Sequence, residues 1–160
     1  QGRSRKDVEQ SLITILKDVR KRVPNALILT VGYLPLVQEK HCVNLPNMTP
    51  FENTRVRHLR EAADQALTTA SKTVARMSEQ QWKDNGVEVV SAGISNVPFR
   101  QVHGHDLCAM GHKRFILNRE KTGVRYHYTE PGLSYIADHV AWKYLSEQLQ
   151  WSRQMVYLGR

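Results

Sequence analysis

At 160 residues and 41% hydrophobic, the chain can bury one sizeable core, and a single domain or subunit spanning 1–160 is the expected organisation. Charged residues make up 24%, near the soluble average, and aromatic residues are spread along the chain; together these exclude intrinsic disorder. No run approaches the roughly 18 apolar residues of a membrane span, and a formal charge of +8 favours approach to polyanions without defining a function.

The chain opens on Gln1-Gly2-Arg3-Ser4-Arg5-Lys6, with neither an initiator Met nor the apolar core of a secretion signal, so a processed chain or a fragment is expected. Val8, Leu12, Ile15, Leu16 and Val19 recur at helical spacing and predict a helix over Arg5–Arg22, stopped by Pro24-Asn25. Lys17, Arg20, Lys21 and Arg22 close it, where cations offset the helix dipole. Together with Arg55, Arg57 and Arg60 further on, they read as solvated helix faces rather than a polyanion site.

Ala26-Leu27-Ile28-Leu29-Thr30-Val31-Gly32 is a nearly continuous apolar run bounded by turn residues, the pattern of a strand covered on both faces, as in parallel sheets. Tyr33 to Pro50, with its prolines and Cys42, is a long loop, and long loops in compact domains often carry function. Phe51 to about Asn85 returns to helical periodicity, with Val56, Leu59, Ala63, Ala66, Leu67, Ala70, Val74 and Met77 on one face. Asn85-Gly86 ends it. Val87–Ser91 then predicts a second strand, and Ile94 to Arg125 reads as mostly irregular. Pro131 falls in the first turn of a final helix, made apolar by Ile136, Val140, Trp142, Tyr144 and Leu145. Trp142 and Tyr144 are expected in its packed face or at its edge.

Helix, strand, long helix, strand, helix is part of an α/β layered fold with a parallel sheet. A doubly wound domain normally has about five strands. Two strands therefore imply completion by a further segment or a second chain.

The segment Tyr126-His127-Tyr128-Thr129-Glu130-Pro131-Gly132 carries the clearest chemistry. A His on a tight turn just before a helix can serve as a general base, because the helix fixes the backbone while the turn leaves the ring free. Three stretches together resemble the SGNH (GDSL) esterase and lipase family, particularly its secreted actinobacterial-type lipases. Ala26 to Leu36 looks like the family's fourth strand and following loop. Phe99-Arg100-Gln101-Val102-His103-Gly104-His105-Asp106-Leu107-Cys108 resembles the loop after its fifth strand. His127, with Gly132 and Ala137 following, is similar to its final block, where the catalytic His precedes a Gly and the last helix.

The resemblance implies the C-terminal portion of a three-layer flavodoxin-like fold, with His127 as the catalytic base of a carboxylic ester hydrolase and no metal or cofactor. It places the Ser nucleophile and the oxyanion hole upstream of the fourth strand, on a complementary N-terminal segment or chain. The implied substrate is an ester, lipid esters included. Departures from the pattern are specific: the family usually has Asp three residues before the His and Pro directly after it, whereas Val124 and Tyr128 stand here. A backbone carbonyl near Val124 can still fix the imidazole tautomer; loss of catalysis is the alternative. Tyr33, Leu34 and Pro35 leave the catalytic edge of the sheet and are candidates to line an acyl pocket, with packing beneath the loop as the alternative.

His103, His105, Asp106, Cys108 and His112 invite a zinc reading. The cluster lacks a separated second ligand pair, so no metal is expected. A nucleic-acid transesterase with Tyr126 or Tyr128 as nucleophile is weaker still. Ser91 and Ser95 do not form a Gly-x-Ser-x-Gly elbow. If the two strands are parallel neighbours, Cys42 and Cys108 both follow strands at one edge and can form a disulfide, implying secretion or another oxidising compartment; two free thiols, or a bond to a companion segment, are the alternatives. Against the ester hydrolase stand two other expectations: a non-catalytic interaction module, and a basic nucleic-acid-binding domain, for which the scattered cations make a poor case.

Overall fold

A computed structural model describes residues 4–24, 26–37, 49–86, 92–99, 105–106, 108–109, 113, 115–116 and 127–158, with side chains through residue 149. The elements are α1 (Arg5–Arg22), β1 (Ile28–Val31), α2 (Pro50–Asp84), β2 (Ile94–Val97) and α3 (Glu130–Leu158). The architecture is α/β, with three helices and a small parallel sheet of two strands among the described residues. No described helix is long and apolar enough to cross a membrane. The chain divides into two compact units: Gln1–Gly32, Ala63–Pro98 and Val140–Arg160 form the first, and Tyr33–Ala62 with Phe99–His139 the second.

The helix starts follow from short-range hydrogen bonding. Ser4 caps α1 in a reciprocal box: its hydroxyl accepts from the Asp7 N–H at 3.3 Å, while the Asp7 carboxylate accepts from the Ser4 N–H and hydroxyl, both at 2.8 Å. Thr49 and Glu52 repeat the arrangement ahead of α2, where Pro50 occupies the first helical position and sacrifices no hydrogen bond. The Ser4 hydroxyl, then its N–H, hold the Asp7 carboxyl below its ordinary 3.8. The Thr49 N–H, then its hydroxyl, hold Glu52 below 4.5. With folded values depressed, both caps contribute fully above those ordinary values and lose their contribution as pH falls through the lowered ones. Thermal unfolding between neutral pH and about pH 2.5 should therefore steepen below pH ~4.5, and the double variant Asp7→Asn/Glu52→Gln should flatten that acid limb. Equal acid slopes in parent and variant would contradict this role for the caps.

In the first unit, β1 and β2 pair in parallel, Ile28 opposite Ile94 and Val31 opposite Val97. The position of β2 corrects the sequence expectation, which left Ile94 onward irregular. Ser95 and Asn96 interrupt its apolar pattern, but both find partners. Asn96 donates to the Thr68 hydroxyl at 2.9 Å and accepts from the Thr30 hydroxyl at 2.8 Å, and the Ser95 hydroxyl donates to Glu147 at 3.0 Å. Gly93, at φ 62°, supplies the left-handed turn into the strand. The strand expected at Val87–Ser91 lies outside the described residues.

Leu16 of α1, Ala70 and Val74 of α2 and Ile94 of β2 form a buried cluster, against which Leu12, Ile13, Ile28 and Ala75 pack. Both helices thus cover one face of the strand pair. Ser95 projects to the other face and meets Glu147 of α3, which Lys143 also pairs at 2.5 Å. The unit is therefore layered helix, sheet, helix.

Three expectations about faces need correction. Arg20 does not belong to a solvated face: it is buried, and its guanidinium donates to the carbonyls of Pro24 (2.7 Å), Ala26 (2.9 Å), Ala92 (2.6 Å) and Gly93 (3.2 Å). Desolvation lowers its pKa from the usual arginine value. On α2 the buried stripe runs through Asn53, Ala66, Ala70 and Val74, whereas Leu59 and Met77, assigned to the apolar face by periodicity, are exposed. On α3, Trp142 is 76% exposed and Tyr144, Leu145 and Leu149 are also at the surface, not packed. That helix meets the strand pair through its polar Glu147, so its large apolar residues point elsewhere.

The second unit buries Leu34, Val37, Asn53, Phe99 and Ile116. Arg60 of α2 donates to the Phe99 carbonyl at 2.5 Å, so it too is more than a solvated cation.

Candidate functional site

Apart from Ser95, the described candidate residues belong to the second unit. His127 sits two residues ahead of Thr129, whose hydroxyl caps α3 by accepting from the Gly132 N–H at 3.2 Å. The backbone on either side of this cap is anchored. Tyr128 forms an antiparallel bridge with Ile116, the Thr129 N–H donates to the Phe115 carbonyl at 2.9 Å, and Leu133 N–H returns to the Thr129 carbonyl at 2.8 Å.

Gly132 makes this approach possible. A Cβ at that position would overlap the Phe115 carbonyl oxygen and lie 2.9 Å from its carbon. The glycine following the histidine thus has a steric reason: only a residue without a side chain lets the first turn of α3 rest on the Phe115 backbone. The His127 ring itself is exposed and hydrogen-bonds no described residue. The backbone beside His127 is thus fixed while its ring meets no hydrogen-bond partner among the described residues.

Phe115 is the centre of the anchoring. Its N–H donates to the His105 carbonyl at 2.8 Å, and its ring stacks on His105 with centroids 4.2 Å apart and planes 8° from parallel. It also meets Tyr135 at 4.9 Å; Tyr135 contacts His139 at 4.1 Å, and His139 contacts the buried Phe99 at 5.6 Å. The His105 Nδ1 lies 2.5 Å from the Lys113 carbonyl and the His139 Nδ1 2.9 Å from the Tyr135 carbonyl. Since a carbonyl only accepts, Nδ1 is the donor in both contacts. Neither Phe115 nor Tyr135 stood out in the sequence. A signal was available in Pro131-Gly132, because a glycine in a helix's first turn points to close backbone contact.

The remaining candidates are placed as follows. Tyr33 is exposed, while Leu34 and Pro35 are buried. Asp106 is buried, with its carboxylate accepting from the Cys108 N–H at 3.0 Å and its carbonyl from the Ala109 N–H at 3.1 Å, a turn held by an aspartate. Cys108 is half-buried. Cys42, Val124, Tyr126, His103 and His112 lie outside the described residues, as does Ser91. Among the described residues no three His, Cys, Asp or Glu side chains converge to hold a metal. Ser95 is committed to Glu147. No family model matches the chain, and no curated protein or solved structure shows significant similarity to it.

Proposed function

We propose that the chain is the base-bearing part of a serine ester hydrolase of the SGNH type, the C-terminal portion of a three-layer flavodoxin-like fold. The observation that carries the reading is His127: an exposed imidazole with no hydrogen-bond partner among the described residues, on a backbone pinned by Thr129, Tyr128 and Gly132. The parallel pairing of β1 and β2 and the helices on both faces of that pair are compatible with the fold.

In this mechanism a Ser hydroxyl, supplied by a companion segment or chain, attacks the ester carbonyl while His127 Nε2 accepts its proton. Backbone and Asn donors of the companion hold the oxyanion. The imidazolium then returns the proton to the departing alcohol, leaving an acyl-serine. A water, deprotonated by the same ring, releases the carboxylic acid and restores the Ser. With Val124 in place of the usual Asp, a backbone carbonyl is assigned the task of holding the Nδ1 proton. A disulfide between Cys42 and Cys108 would place the chain in an oxidising compartment.

The test is His127→Ala in the protein assembled with its companion. Hydrolysis of a p-nitrophenyl ester should fall by at least about 10³-fold with the melting temperature unchanged. Undiminished hydrolysis would overturn the assignment, and so would a failure of the assembled parent protein to react with a serine-directed phosphonate.

A further inference from the structure

The exposed side of α2's first turns combines chemistry that the reading of His127 does not use. Phe51 is 74% and Leu59 62% exposed, and Arg55 and His58 beside them are exposed as well. At 100° per residue these four, with Ala62, occupy one side of the helix, opposite the buried Asn53 and the Arg60 that bonds Phe99. No carboxylate lies within that stripe. Glu52, at its border, is occupied by its cap with Thr49, and Glu61 falls on the flank.

Two large apolar side chains interleaved with the Arg55 guanidinium and the His58 ring, on one side of a helix in a chain of charge +8, fit a partner that is negatively charged on its surface and apolar just beneath. We infer that Phe51, Arg55, His58 and Leu59 form a docking face for an anionic lipid surface. Arg55 and His58 meet the headgroup phosphates and carboxylates, and Phe51 and Leu59 enter the boundary between headgroups and acyl chains. An acidic glycan rewards Arg55, and a nucleic acid can also stack a base on Phe51, but neither gives the aliphatic Leu59 anything to bury against. The lipid surface uses all four residues.

The test is flotation of the full chain with phosphatidylcholine vesicles containing about 30% phosphatidylserine, beside vesicles of phosphatidylcholine alone. The chain should float with the anionic vesicles and stay behind with the neutral ones. Phe51→Ser/Leu59→Ser should weaken binding at least about tenfold, and Arg55→Gln about fivefold. Because these residues are exposed, unchanged circular dichroism and melting temperature certify that the variants are folded. Absence of flotation by the parent chain would overturn the inference. So would flotation that Phe51→Ser/Leu59→Ser leaves intact, or binding that moves to heparin or single-stranded RNA and depends on Arg55 alone. None of these outcomes bears on His127, so the two readings fail separately.

Discussion

Replacing Arg20 by Met should destabilise the fold by at least about 3 kcal/mol, the largest effect expected of any single charged residue described here. Five carbonyls accept from this guanidinium, those of Val23, Pro24 and Ala26 in the turn between α1 and β1 and those of Ala92 and Gly93 on the approach to β2; Val23 and Gly93 also accept from the Ala26 and Ile28 N–H groups. Hydrogen bonds from a charged donor contribute about 1.5–3 kcal/mol each, and every buried carbonyl left without a donor adds a desolvation cost of about 1–3 kcal/mol. The contributions are not additive, because some carbonyls will recruit water once the side chain is gone. For a chain of this size the change corresponds to a fall in melting temperature on the order of 10 °C.

Arg20→Lys should recover little, since one ammonium cannot span acceptors that the planar fork reaches from two nitrogens. Arg22 provides the contrast. It pairs with Asp18 at 3.0 Å on an open helix surface, where such a pair contributes about 0.3–0.5 kcal/mol, so Arg22→Met should be nearly silent. Urea denaturation of the three variants decides the matter. A Lys variant within about 0.5 kcal/mol of the parent would show that charge, not fork geometry, is what the site requires.

Gly132→Ala should damage the His127 turn more than its one added methyl group suggests. The new Cβ falls on the Phe115 carbonyl, a backbone atom that cannot rotate away. The first turn of α3 must therefore withdraw, at a cost of about 1–3 kcal/mol. The Thr129 to Phe115 hydrogen bond would stretch or break, and with it the anchor beside His127. In the assembled hydrolase proposed above, a shift of this kind should lower kcat about 100-fold while KM changes little. Gly86→Ala is the matched control: that glycine sits at φ 76° with open space around it, so the variant should lose about 1 kcal/mol and keep full activity. Equal activities of the two variants would remove Gly132 from any role in positioning the histidine.

The features legible in the sequence were those set by local chemistry. The bounds of α1 follow from Ser4, Asp7 and the Pro24 stop, and those of α2 from Thr49-Pro50 and Asn85-Gly86, because caps and breakers act within four residues. The apolar run ending at Val31 identified β1 for the same reason. What escaped was decided at a distance. The residues of β2 look like a loop until Asn96 meets Thr68 and Ser95 meets Glu147, partners 28 and 52 positions away. Arg20 has the spacing of a solvated cation, and only the arrival of Ala92 and Gly93 turns it into a buried fork. Leu59 follows the apolar period of α2 but lies at the surface, since the buried face is set by what packs against the helix. In the candidate site, the histidine and the glycine were readable as a pair, whereas the Phe115 carbonyl that explains them has no side-chain signature.

The polar contacts between the strands have a mechanical meaning. Thr30 stands opposite Asn96 in the ladder, bonds it side chain to side chain, and also lies 2.8 Å from the Ser71 hydroxyl. A purely aliphatic pair of four-residue strands could slide by two positions and still bury similar surface. Here a two-residue slip would strand an amide and two hydroxyls away from water, so the strand pair behaves as a ratchet with one permitted notch. The levels at which the chain leaves Val31 and Val97 are thereby indexed to each other.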